Sequence, residues 1–350
     1  MKKVFFLSLL VAFIFGCNSE PQTSSDQEAK KSEDVQEVNV YSHRHYDIDK
    51  EIYAKFQEET GIKVNVIKAK ADELLEKIKT EGENSPADLL VTVDAGRIQR
   101  AVESGVLDKI NRSTLPSGLN EQYIDQNDQW VALTMRARVL AYSNERVNPE
   151  DLSTMEALAD EQWKGRVLAR SSSNIYNQSL MASLIAHDGQ EGAIKWAEGM
   201  VNNFARTPKG NDRDQVKAIY AGEGDVAIVN TYYIGKLLTS DNPEEVNAGK
   251  AVNIFFPNQE RGTHINISAA GICKYSPNAS NAQKLLEFLL SPEIQGMYSE
   301  GNHEYPVIES ATLDPILAAW GEFKKDSLSF TRLGQLNTEA VKAFDTAGWN

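Results

Sequence analysis

The sequence predicts an α/β fold arranged in two lobes. Three observations carry this expectation. The chain has 350 residues, more than one small core organises and suited to two lobes. Strand-like and helix-like patterns alternate along much of it, which implies a largely parallel sheet with βαβ crossovers. A long β-rich run, Val131–Ser143, separates two such blocks, and a later strand-like run returns to the first. The natural ligand site of this arrangement is the cleft between the lobes.

The elements follow in order. Residues 38–42 read as a strand, and 43–46 as the loop after it. Asp47 is expected to cap a helix whose apolar face uses Ile52, Tyr53 and Phe56, and which Gly61 stops. Residues 62–67 form a second strand, and Leu74, Leu75 and Ile78 mark a second helix. A buried strand at 87–93 leads through Asp94, read as a helix cap, into a helix reaching Gly105. In the second block, residues 166–170 read as a strand. A loop carrying Tyr176 follows, then a helix over 179–187 and another holding Trp196. The alternating run 226–229 ends in Asn230-Thr231-Tyr232-Tyr233, a strand end passing into a helix. Residues 265–273 form the returning strand, 282–290 a helix packed through Leu285, Leu286 and Leu289, and the chain from Pro315 is helical and amphipathic.

The N-terminus reads as a targeting segment. Lys2 and Lys3 precede an apolar run too short for a comfortable membrane span, and residues 14–17, Ile-Phe-Gly-Cys, resemble a bacterial lipobox. Residues 1–17 are thus expected to be a lipoprotein signal peptide, with cleavage before Cys17 and lipidation of that residue. Residues 18–36, rich in Ser, Gln, Glu, Asp and Lys, read as a disordered tether. Cys273 is then the one remaining cysteine, so no intramolecular disulfide or cysteine-based metal site can form; it reads as a buried structural thiol. A net charge of −14 argues against nucleic acid as a partner.

Catalytic motifs are missing: there is no HExxH, G-x-S-x-G, Walker A or helix-opening GxGxxG. What stands out is aromatic. The segments holding His45-Tyr46, Tyr176 and Tyr232-Tyr233 all fall at the carboxyl-end or loop level of their sheets, where α/β proteins bind ligands. The doublet alone admits core or rim packing, a stacking platform for a sugar, or paired ligands for a hard cation. Taken together, His and tyrosinate suit ferric iron, which favours anionic oxygen. Phenols that titrate near ~10 when free lose their protons to a bound cation. Four phenolates would leave the centre with about one excess negative charge, which an arginine can offset. Arg44, Arg136 and Arg138 are the candidates, the last two sharing one strand face. His303 is placed in a loop, with no metal spacing around it.

Several long stretches resemble a known family. They are Tyr41-Ser42-His43-Arg44-His45-Tyr46-Asp47, Arg206-Thr207-Pro208-Lys209-Gly210-Asn211-Asp212, Gly222-Glu223-Gly224-Asp225-Val226-Ala227-Ile228-Val229-Asn230-Thr231-Tyr232-Tyr233, Arg261-Gly262-Thr263-His264-Ile265-Asn266-Ile267-Ser268 and Asn302-His303-Glu304-Tyr305-Pro306-Val307. Over residues 37–350 the chain resembles the periplasmic ferric-iron-binding proteins of ABC transporters, the bacterial transferrin family. The resemblance implies a type 2 periplasmic-binding fold with crossing strands, an N-lobe of 37–135 plus 261–312 and a C-lobe of 136–260 plus 313–350. It implies one Fe³⁺ in the cleft, held by positions matching His45, Tyr46, Tyr176, Tyr232 and Tyr233. One branch of the family uses a glutamate just after the third strand; Val93 stands there and cannot ligate. The chain is therefore similar to the tyrosine-rich branch, which includes cyanobacterial members and needs little or no added anion. A synergistic anion such as carbonate, and the arginine that balances charge, stay open.

The resulting expectation is a lipid-anchored, monomeric, periplasmic or cell-surface receptor. It carries no enzymatic activity and delivers ferric iron to the permease and ATPase subunits of an ABC importer. The same fold binding a polyamine, thiamine or a sugar is the alternative, and an enzyme on a related scaffold the more distant one.

Overall fold

The computed structural model describes residues 36–349. The expectations for residues 1–17, for Cys17 and for nearly all of the tether at 18–36 lie outside the described residues. Among the described residues no helix is long and apolar enough to cross a membrane.

The first block is β1 (Glu37–Ser42), α1 (Asp47–Thr60), β2 (Lys63–Lys68), α2 (Ala71–Glu81), β3 (Leu89–Val93) and α3 (Ala95–Glu103). Then come β4 (Val131–Ser143), β5 (Val167–Leu168), α4 (Ile175–Asn203), α5 (Asp212–Tyr220), β6 (Val226–Asn230), α6 (Thr231–Leu238), α7 (Pro243–Lys250) and β7 (Val252–Phe255). The chain returns through β8 (Ile265–Ile272), α8 (Ala279–Leu289), α9 (Pro292–Asn302) and β9 (Tyr305–Pro306). It ends in α10 (Pro315–Ala319), α11 (Phe330–Gln335) and α12 (Asn337–Ala347).

One strand explains the architecture. All of β4 is buried, and it changes partners midway. Residues 131–137 pair with β8, next to the parallel set β2-β1-β3. Residues 138–142 pair with β6, which lies beside β5. Arg136 stands opposite Asn266 of β8 and Arg138 opposite Asn230 of β6, so the two arginines straddle the handover. Two α/β layers thus share a continuous crossing strand, as the long apolar run implied.

Local chemistry sets the element ends. Gly61 takes the left-handed conformation (φ 69°) that stops α1. Asp47 is not its cap. Tyr46 occupies that position, and its N–H donates to the carboxylate of Asp49 at 3.2 Å. Asp49 is buried against Arg44, so the inner acid closes the helix end while Asp47 pairs with Lys50 in solvent. Asp94 does cap α3, accepting from the Gly96 N–H at 2.9 Å. Its backbone is strained (φ 89°), and its buried carboxylate also takes the hydroxyl of Ser179 on α4 at 2.6 Å and the amide of Asn266 at 2.9 Å.

The helix expected over 179–187 is much longer, Ile175–Asn203, broken only at Gly189 with φ 74°. Asn174 caps it by accepting from the Tyr176 N–H, so Tyr176 lies in the first turn of a helix and not in a loop. The C-terminal stretch is three helices: α11 packs on α3, and α12 packs on α4. Trp349 is buried against Trp196, Phe204 and Phe344. Cys273 is a free, buried thiol pushed up by burial, as a structural cysteine should be.

Candidate functional site

The tyrosine doublet does not end a strand. β6 stops at Asn230, and Thr231, Tyr232 and Tyr233 form the first turn of α6. This resolves a geometric difficulty. Neighbours on a strand point to opposite faces, whereas neighbours on a helix diverge by about 100° and can address one centre. The start of α6 is fixed by Asp212, which is fully buried. One of its carboxylate oxygens accepts from the Asn230 N–H at 2.8 Å and from Arg138 Nη1 at 2.7 Å.

Three tyrosines of the second block converge. The Tyr232 hydroxyl donates to the Tyr176 hydroxyl at 3.2 Å, and the rings of Tyr232 and Tyr233 lie 4.2 Å apart. Tyr176 and Tyr232 both sit in helical first turns, where the positive end of the helix dipole favours an anionic oxygen. Tyr46 approaches from the first block, edge-on to Tyr232 with ring centroids 6.3 Å apart. Burial, followed by the neighbouring Tyr176, pushes the phenols of Tyr46 and Tyr233 well above their ordinary value; Tyr232 is raised in the same way. These phenols are therefore neutral near pH 7 until a cation replaces their protons. His45 stays at the rim: exposed, its ring stacked on Tyr46 at 5.2 Å.

The three arginines separate sharply. Arg44 is ion-paired with Asp49 at 3.0 Å and Glu304 at 2.9 Å, leaving only Nη2 without a partner among the described residues, and its guanidinium lies 5.0 Å from the Tyr46 ring centre. Arg138 is held by Asp212, Asn177 and Asn230. Arg136 is 1 % exposed, yet none of its three guanidinium nitrogens has a hydrogen-bond partner among the described residues. It lies 5.6 Å from the Tyr176 ring centre. Leaving a buried charge uncompensated costs about 3–5 kcal/mol. An anionic group beside the tyrosines would offset that cost.

Two cations near the cluster escaped the sequence reading. Lys236 places its ammonium 4.0 Å from the Tyr46 ring centre, and burial pushes it down to about 8. It is four residues beyond Tyr232, so a helical reading of this stretch would have put both on one face. Arg170 sits 5.6 Å from the Tyr176 ring centre and pairs with Asp212; no spacing in the sequence marks it. Among the described residues no group of three or more His, Cys, Asp or Glu is placed to hold a metal. Tyrosine is the residue type that dominates this site.

Comparison with known proteins agrees with this architecture. Residues 51–325 match the family model described as bacterial extracellular solute-binding protein. The chain is 47 % identical to iron uptake protein A1 of Synechocystis, over 98 % of this chain and 97 % of that protein. Among solved structures it resembles a Trichodesmium IdiA/FutA protein in complex with iron and citrate ligands, at 48 % identity and a TM-score of 0.87, covering 90 % of this chain and all of that one. Apo FutA2 from Synechocystis is similar at 46 % identity and a TM-score of 0.85, covering 90 % and 99 %. On the match of its fold and of most of its length, this chain belongs to the bacterial extracellular solute-binding protein family.

Proposed function

We propose that this protein captures ferric iron between its lobes and delivers it to an ABC importer. The carrying observation is the meeting of four tyrosines from both halves of the fold beside a buried, unpartnered arginine. Tyr176, Tyr232 and Tyr233 supply phenolate from one lobe; Tyr46, with His45 beside it, supplies the other. Hard, highly charged Fe³⁺ matches this oxygen set, as carboxylates and carbonyls match other hard cations. Arg136 offsets the excess negative charge, directly or through a small anion such as carbonate. Arg44 and Arg138 act behind it, orienting the Tyr46 loop and the start of α6. The similar proteins described as iron uptake protein A1 and as an iron and citrate complex support the same reading.

The moving bodies are 37–135 plus 261–312 and 136–260 plus 313–350, hinged where β4 changes partners. Iron draws ligands from both, so coordination and closure are linked. The closed monomer is the form that the permease recognises, with the ATPase subunits behind it. Lipidated Cys17 and the 18–36 tether anchor the receptor to a membrane, in the periplasm or at the cell surface. The role is binding, not catalysis.

Replacing Tyr232 and Tyr233 together by Phe tests the reading. Aromatic stacking of an organic solute survives that change; ferric coordination does not. Loss of iron binding by a folded variant is the expected result. Retention of iron at parental affinity would overturn the assignment.

A further inference from the structure

Helix α6 also meets the first lobe one turn beyond Tyr232. Gly235 and Thr239, one turn apart, both point at His303, the residue that ends α9. Helix α9 packs on α1 and α8 of the opposite lobe. The His303 ring is held between two partners. Its Nδ1–H donates to the Asp314 carboxylate at 2.5 Å, because a carboxylate can only accept. Its Nε2 pairs with the Thr239 hydroxyl at 3.0 Å. Asp314 is itself tied to α9, its N–H donating to the Ser299 hydroxyl at 2.9 Å. A Cβ on Gly235 would lie 2.5 Å from Cγ of His303, so the ring rests directly on the helix backbone.

Both residues at this contact are locally unfavourable. A glycine inside a helix costs about 1 kcal/mol relative to alanine. His303 adopts the left-handed conformation, φ 54°, which suits glycine or asparagine better. Neither choice serves its own element. Each fits the meeting of the two.

The geometry points to a closure latch: His303 on one lobe, seated on Gly235 and bonded to Thr239 on the other, holds the closed form and so sets the rate at which bound iron escapes. His303 is a positioning residue acting through α6, one turn beyond the turn that carries the tyrosines. The inference rests on the ferric reading for its readout, and the experiment keeps the two apart.

The test uses four variants of the full chain. His303→Asn keeps tolerance of the left-handed backbone and removes the ring. Gly235→Ala pushes a methyl group into it while improving helix propensity. Thr239→Val removes the hydroxyl, and Thr239→Ser restores it. Iron release to excess citrate is followed through the ferric-phenolate band, alongside apo melting. The expected result is release about tenfold faster for His303→Asn and Gly235→Ala. The band position is unchanged and apo melting is not lowered in Gly235→Ala. Thr239→Val shows a smaller acceleration, which Thr239→Ser reverses. Parental release rates in both His303→Asn and Gly235→Ala would overturn the latch, and so would a shifted band, which would place His303 in the coordination sphere. A parental protein that never forms the band would sink the ferric reading instead. Small-angle scattering of the ligand-free chains then decides: an increased radius of gyration in His303→Asn supports the latch, and identical curves refute it.

Discussion

The two halves of the tyrosine cluster are built differently. In the second lobe Tyr176 and Tyr232 are already hydrogen-bonded, and Asp212, Arg138 and Asn230 fix the turn that carries them. In the first lobe Tyr46 comes from a helix cap, flanked by exposed His45. It meets the other rings only across the interface. One half is a preassembled platform; the other is a lid. Iron is therefore expected to land on the second lobe first and to recruit Tyr46 by closure.

The contrast orders the expected effects. Removing the platform, by Tyr232→Phe with Tyr233→Phe, should weaken ferric binding by far more than the ~10–100-fold typical of an outer-shell change. Competition against a chelator measures it. Arg136→Met comes next, with affinity falling about 10–100-fold. Its apo melting midpoint should rise, because an unpartnered buried charge is replaced by an apolar side chain. Arg138→Met is the control of opposite sign. It leaves Asp212 with Arg170 as its one ion-pair partner among the described residues and should destabilise the apo protein by about 3–5 kcal/mol in denaturant melts.

Proton linkage gives a graded effect. The buried phenols of Tyr46, Tyr232 and Tyr233 lie above their ordinary value in the free protein and must ionise to bind the metal. Binding then releases protons, so affinity rises with pH. The slope is about tenfold per unit for each proton released, measurable by chelator competition from pH 6 to 8. Tyr46→Phe, which removes one of these protons, should flatten it. The smallest effect belongs to the rim: His45→Ala should cost less than about tenfold, well below the loss from Tyr46→Phe.

Much of this was legible in the sequence for physical reasons. The long β-rich run of β4, set between two α/β blocks, announced a crossing strand; that both of its arginines are buried was not announced. Gly61 and Asp94 marked the helix ends they make. The tyrosines stood out because three segments carried phenols at one level of an α/β fold, and the family resemblance made them the expected ligands. Other features were hidden, since they depend on contacts distant in the chain. Tyr176 and the doublet were assigned to a loop and a strand end, although capping by Asn174 and the turn at Asn230 put them on helices. The free arginine could not be picked from three, because Arg44 is neutralised by Glu304, which lies 260 positions away. Lys236 and His303 were missed for the same reason: their partners, Tyr46 and Gly235, belong to the opposite lobe.

The central claim is that phenolates from both lobes hold ferric iron. A spectral titration with ferric citrate, with metal analysis of the product, tests it most directly. A red-orange charge-transfer band that saturates at about one iron per chain, with a raised melting midpoint, is the expected result. A protein that stays colourless and is not stabilised would contradict it.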